Sequence, residues 1–145
     1  MLAPLAFVLL APVDLRATAQ RNAEAFLLAL RHRDDGYFER TFAPGFTQSI
    51  EKRYLDRATA LAQIESGLRR IKQQRLTVRV LSAKPEGKGY VATVAWKGTE
   101  PATMMNRPAT LTATWRDEQH WVPHDKGWAL RSLVTSKFDR TIAYP

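Results

Sequence analysis

The sequence predicts an α+β fold, with three N-terminal helices packed on one face of an antiparallel β-sheet. Three observations carry that expectation. The last third reads as one long hairpin, Thr110 to Arg140, with Leu111, Ala113 and Trp115 alternating against Thr110, Thr112 and Thr114. In its second arm Trp128, Leu130, Val134 and Phe138 alternate against Arg131, Thr135 and Lys137. Period-two alternation of this length means a sheet with one face covered and one face wet. The second observation is an N-terminal half with apolar residues at 3.6-residue spacing, which supplies the cover. The third is the order, helices first and strands afterwards, which collects the helices on one face.

Helix one is expected from Asp14 as N-cap to about Arg33, with Leu15, Ala19, Ala23, Phe26, Leu27 and Leu30 as its apolar stripe. Asp34-Asp35-Gly36 breaks it and caps a short segment from Tyr37 to Ala43, ended by Pro44-Gly45. Phe46 to Ile50 has short-strand alternation, and Glu51 to Leu55 reads as an irregular connection. Asp56 or Thr59 caps helix three, which buries Leu61, Ile64, Leu68 and Ile71. Leu76 to Val80 and Tyr90 to Trp96 form a hairpin around Pro85 to Gly89. Gly98 to Pro108 reads as a looser crossing before the long hairpin, whose tip is Pro123 to Gly127.

A chain of 145 residues with 45% hydrophobic content buries a substantial core, so residues 14–145 are expected as one domain. The absence of cysteine excludes disulfides, thiolate catalysis and sulfur-ligated zinc. A net charge of +8 favours anionic encounters without defining a site. Residues 1–13 are apolar but fall short of the roughly 20 residues needed to span a bilayer. They read as an export signal remnant, with Ala17-Thr18-Ala19 as the small-residue site, or as an arm packed on the domain. The first implies a periplasmic or secreted protein, the second a cytoplasmic one.

The run Ala25-Phe-Leu-Leu-Ala-Leu-Arg-His-Arg-Asp-Asp-Gly-Tyr-Phe-Glu-Arg-Thr-Phe-Ala-Pro-Gly-Phe46 resembles the opening of the nuclear transport factor 2-like superfamily, especially its SnoaL-like bacterial members. Trp121 and Lys126-Gly-Trp-Ala-Leu-Arg131 resemble the closing hairpin of that group. The resemblance runs over residues 14 to 140. It implies a cone-shaped α+β fold, with a curved antiparallel sheet wrapped against the three helices, often a pocket at its open end, and frequent homodimers. Because that fold hosts isomerases, cyclases, hydratases and non-catalytic modules, it does not choose the function.

Chemistry in such a cone needs an inward carboxylate or His whose pKa burial can raise. By parity the inward set is Leu76, Val78, Val80, Tyr90, Ala92, Val94, Trp96, Leu111, Ala113, Trp115, Trp128, Leu130, Ser132 and Val134, with no Asp, Glu or His among them. The resemblance to ketosteroid isomerases puts their catalytic Tyr at Phe26, their base near Ser49 or Ile50, and their second acid near Thr110 or Thr112. None of these types matches. The Asp-Arg-Asp set of the related epoxide hydrolases is not met by adjacent Arg116-Asp117. Glu51 is the one candidate base, with Tyr54 or Tyr90 as acid, against a solvated loop Glu. His120, His124 and Asp125 lie at a hairpin tip, where four-residue spacing does not converge ligands, so no metal is expected.

The expected function is therefore a small hydrophobic-ligand-binding domain without turnover and without a cofactor. Its pocket would be lined by Phe26, Tyr37, Tyr54, Tyr90, Trp96, Met104, Trp115 and Ser132. The alternatives are an isomerase, cyclase or hydratase using Glu51, or an assembly module with a basic face. Arg69, Arg70, Lys72 and Arg75 suggest weak contact with anionic surfaces, with no specific nucleic acid. A homodimer is expected through the outer sheet face, where Leu81 and Leu133 break the polar register.

Overall fold

The computed structural model describes residues 14–70 and 75–145, and the side chains of all of these except 68–70. The expected N-terminal arm lies outside the described residues, as do Ile71 and Lys72 of the third helix and basic patch and the side chains of Leu68, Arg69 and Arg70.

Helix α1 spans Leu15–His32, α2 Asp35–Thr41 and α3 Arg57–Arg70. Each begins at an aspartate whose side chain accepts a backbone N–H three residues on: Asp14 from Ala17, Asp34 from Tyr37 and Asp56 from Thr59. Such caps satisfy amides that the first turn leaves unpaired. Arg33, at φ 55, turns the chain left-handed between α1 and α2.

The strands are β1 Phe42–Ile50, β2 Arg53–Asp56, β3 Arg75–Glu86, β4 Gly89–Met104, β5 Arg107–His124 and β6 Gly127–Ala143. They form one six-stranded sheet in the order β2-β1-β6-β5-β4-β3. All neighbours are antiparallel except β1 and β6, which run parallel, so the sheet is mixed rather than wholly antiparallel. The expected irregular connection after Ile50 is a turn at Glu51 and Lys52 followed by β2. Likewise Gly98 to Pro108 is no loose crossing. It is a regular hairpin end, turning at Met105 and Asn106, whose φ values of 53 and 62 suit a two-residue turn that matches strand twist.

Buried Phe26, Phe38, Phe42, Phe46, Tyr90, Val94, Trp96, Trp121 and Leu130 join α1, α2 and the sheet in one core. Helix α1 also covers the edge strand β3. Arg16 Nη2 donates to Val80 O at 3.3 Å, Arg31 Nη2 donates to Leu76 O at 2.7 Å, and Gln20 Oε1 accepts from Val80 N at 3.1 Å. These bonds occupy edge groups that would otherwise template another strand.

Two bulges in β6 correct the predicted inward register. Between the His120↔Ser132 and Trp121↔Leu130 pairs, Arg131 is extra. One added residue moves every following side chain to the other face. Leu133 is consequently buried in the core, while Val134 is exposed and Ser132 pairs with His120 on the outer face. Leu133 therefore contributes nothing to an apolar outer face. A second irregularity near Lys137, at φ 53, returns Phe138 to the helix side, where it stacks on Trp115.

Candidate ligand-binding site

The alternation of β5 does not stop at Trp115. Cross-strand pairs Trp96↔Trp115, Val94↔Asp117, Ala92↔Gln119 and Tyr90↔Trp121 put Trp115, Asp117, Gln119 and Trp121 on one face, the face turned to the helices. The expectation that this face lacks a carboxylate is thus overturned by Asp117. Its residue is only 5% exposed, and burial pushes its carboxyl up to about 6. Thr135 Oγ1 on β6 donates to Asp117 Oδ1 at 2.8 Å and offsets part of that rise.

Two further donors approach the same carboxyl. The Trp96 indole N–H and the Gln119 amide both hold its pKa down, after Thr135 in size. Yet neither Trp96 Nε1 nor Gln119 Nε2 completes a hydrogen bond of good geometry, although both are buried. The Gln119 oxygen is occupied, accepting from Trp121 Nε1 at 3.0 Å. An incompletely paired buried donor costs up to about 1–3 kcal/mol, so two beside one carboxyl mark a polar spot in the otherwise apolar covered face.

An aromatic row leads from this spot to solvent. Phe26 meets Trp96 edge-on at 5.7 Å, Trp96 stacks on Trp115 at 5.9 Å, and Trp115 stacks on Phe138 at 5.7 Å. Trp96 is 2% exposed, Trp115 is half-buried and Phe138 is 41% exposed. The Arg140 guanidinium lies over the Phe138 ring at 5.0 Å. Behind Phe26 stand Tyr37 at 6.3 Å and Phe38 at 5.1 Å. Burial pushes the Tyr37 hydroxyl up to about 12, so it stays a neutral donor at any ordinary pH.

Of the residues expected to line a pocket, Phe26, Tyr37, Trp96 and Trp115 come together in this row. Tyr90 lies on the same face but further along β4, packed against Trp121 and Trp128. Its hydroxyl accepts from Asn22 Nδ2 at 2.6 Å, and burial raises its pKa. Tyr54 is 72% exposed on the edge strand β2, Met104 is at the far hairpin end and Ser132 is on the outer face. Glu51 is exposed in the β1–β2 turn at φ 54, not on the covered face of the sheet.

The residues missed in the sequence are Asp117, Gln119, Thr135 and Phe138. The signal for the first two was present: Trp115, Asp117, Gln119 and Trp121 keep a single parity. The bulge at Arg131 hid Thr135, whereas Phe138 already shared the side of Trp128 and Leu130 in the alternation and was not read as part of a site. At the far end His120 has its two ring nitrogens 2.8 Å from Glu86 and from Glu118, and Arg131 bonds Glu86 at 3.0 Å. This network sits on the outer face, and no metal-binding cluster occurs among the described residues.

No family model matches the sequence, and no curated protein resembles it in sequence. Solved structures do share its fold. A nuclear transport factor 2-like superfamily protein from Salmonella enterica serovar Typhimurium superposes with a TM-score of 0.66 at 15% identity, over 84% of this chain and 89% of that one. A protein of the same kind from Cytophaga hutchinsonii gives 0.63 at 16% identity, over 86% and 98%. A de novo designed protein with a curved β-sheet gives 0.52 at 12% identity, over 82% and 99%.

Proposed function

We propose that this chain, which has the nuclear transport factor 2-like fold, is a SnoaL-like domain that binds one small, largely apolar molecule carrying a single acceptor oxygen. The observation that carries the reading is the pair of buried donors, Trp96 Nε1 and Gln119 Nε2, that the Asp117 carboxyl beside them satisfies only incompletely. The ligand's apolar body would lie along the ring edges of Trp115 and Phe138, entering from the exposed end of the row. Its oxygen would accept from the donors behind. Aromatic walls with a few convergent polar groups are the ordinary composition of a small-molecule site.

The test is native mass spectrometry of protein purified from its own host, then titration with 2-acetylnaphthalene, an apolar ring system with one carbonyl. A bound adduct or saturable tryptophan quenching is expected. Trp96→Phe, which keeps the ring and removes the donor, should weaken binding about tenfold, the worth of one hydrogen bond. Equal affinity in wild type and Trp96→Phe would sink the assignment of the donor.

A second reading is favoured by one observation, the Asp117 carboxyl at about 6. A carboxylate poised near neutrality is suited to take and return a proton next to a carbonyl, the step of an isomerase. Here Asp117 replaces Glu51 as the base. Exchange of the ketone's α-hydrogens for deuterium, followed by NMR, discriminates the two readings. Catalysed exchange lost in Asp117→Asn means turnover; binding without exchange means a binding module.

A further inference from the structure

The outer face of the sheet carries two ends of opposite character. At one end Glu86, Glu118, His120 and Arg131 are tied together by short hydrogen bonds and the Arg131–Glu86 ion pair. At the other, a cleft of about 660 Å³ is lined by Arg79, Lys97, Arg116 and Lys137, with Thr77 and Thr114 between them. The pairing registers align Arg79, Ala95, Arg116 and Ser136 in one row across β3 to β6. Thr77, Lys97, Thr114 and Asp139 form the next. Asp139 is the single anion in these two rows, and none of the four cations has an ion pair within 4.0 Å among the described residues.

Like charges gathered on neighbouring strands destabilise a sheet. With strands 4.7–4.9 Å apart, Arg79 and Arg116 stand roughly 10 Å from each other over the small side chain of Ala95. A folded protein that pairs its charges at one end of a face and leaves them bare at the other has left room for a counter-charge.

We propose that this cleft binds a small molecule carrying two or more phosphate groups. Arginine forks and threonine hydroxyls match tetrahedral oxyanions in geometry, and lysines add charge. The volume falls within the roughly 300–1,000 Å³ of small-molecule sites. Trp96 and Trp115 also line the cleft, but their rings are already packed on Phe26, on each other and on Phe138, so bases of a single strand find no free ring face to stack on. The cations lie across the sheet from the aromatic row, and the site stands or falls apart from it.

The test is calorimetric titration of the full chain with inorganic tripolyphosphate at 50 mM and 300 mM salt, with citrate as a non-phosphate trianion. One-to-one binding is expected, at least tenfold tighter than citrate and weaker at high salt. Arg79→Gln combined with Arg116→Gln should lose at least tenfold, and Ala95→Glu, which sets a carboxylate on the floor, should abolish binding. Both variants are checked for an unchanged circular dichroism spectrum. Citrate binding as well as tripolyphosphate, or affinity unchanged in both variants, overturns the proposal. Vesicles of phosphatidylcholine with phosphatidylinositol 4,5-bisphosphate distinguish the source. Retention on them, but not on phosphatidylserine vesicles, assigns a lipid headgroup, and tripolyphosphate binding without retention assigns a free phosphorylated compound. Equal retention on both anionic vesicles reduces the cleft to unspecific charge and overturns it.

Discussion

Thr135 on β6 donates its hydroxyl to the Asp117 carboxylate on β5 across 2.8 Å, joining directly opposed residues on the covered face of the sheet. The bond exists because Arg131 bulges out of β6. Without that extra residue Val134 would face Asp117's side of the sheet and the carboxyl would have no hydroxyl donor beside it.

The first prediction is a stability profile with an unusual sign. The Asp117 carboxyl titrates at about 6 in the folded chain against 3.8 when unfolded. Between those values the folded state holds a proton that the unfolded state has released. Stability therefore falls as pH rises from about 4 to 6 and levels off above, by an amount on the order of 3 kcal/mol. Asp117→Asn keeps an acceptor for Thr135, removes the titration and is more stable above pH 6. Urea unfolding at pH 4, 5, 6 and 8 reads this directly, and a wild-type profile parallel to that of the variant contradicts it.

Thr135→Val removes the largest influence that lowers the Asp117 pKa. The titration then moves above 6, and at pH 8 the variant loses about 1.5–3 kcal/mol, the cost of a hydrogen bond to a charged group. Carboxyl carbon NMR of Asp117 gives the midpoint; an unchanged midpoint refutes the effect.

Asn22 ties α1 to β4 through the Tyr90 hydroxyl. Asn22→Ala and Tyr90→Phe are each expected to cost about 1 kcal/mol, and the double variant little more than either. Additive losses in a double-mutant cycle would show that the bond contributes nothing of its own.

Trp115→Ala removes a half-buried ring stacked on both sides, with a loss of about 2–3 kcal/mol, below the 3–5 kcal/mol of a fully buried tryptophan. Trp115→Phe recovers at least half of it. Thermal unfolding of the two variants separates stacking from simple filling of space.

Gly89 opens β4, and a Cβ there would fall on the carbonyl oxygen of Trp121. Backbone cannot swing aside as a side-chain tip can, so Gly89→Ala should cost over about 2 kcal/mol. Gly67, whose Cβ would meet nothing, is the control: Gly67→Ala in α3 should stabilise by roughly 0.5–1 kcal/mol.

Much of this architecture was legible in the residues themselves. Asp14, Asp34 and Asp56 mark the three helix starts, and the period-two runs of Tyr90 to Trp96 and Thr110 to Trp115 mark the covered face. What alternation cannot carry is a break in its own count. Arg131 and Lys137 look like ordinary outward cations, yet each displaces the register, so Ser132, Val134 and Leu133 were assigned to the wrong faces. Asp117 was obscured differently: a charged residue inside an apolar series reads as the end of the series, whereas here it is a member. Tyr54 and Glu51 look like site residues by type alone. Their exposure follows from the short β1–β2 hairpin, which forms the sheet's outer edge.

The single parallel pairing, β1 with β6, has a consequence for the order of assembly. Strands β3 to β6 form a meander in which each partner is the next in sequence, closed by tight turns at Gly87, Met105 and Asp125. Such contacts close short loops and form early. Strand β1, by contrast, must find a strand some 85 positions further along the chain, Thr47 beside Ser132. The chain is thus expected to build its meander first and dock β1, β2 and the helices onto it, with that long-distance docking limiting the folding rate.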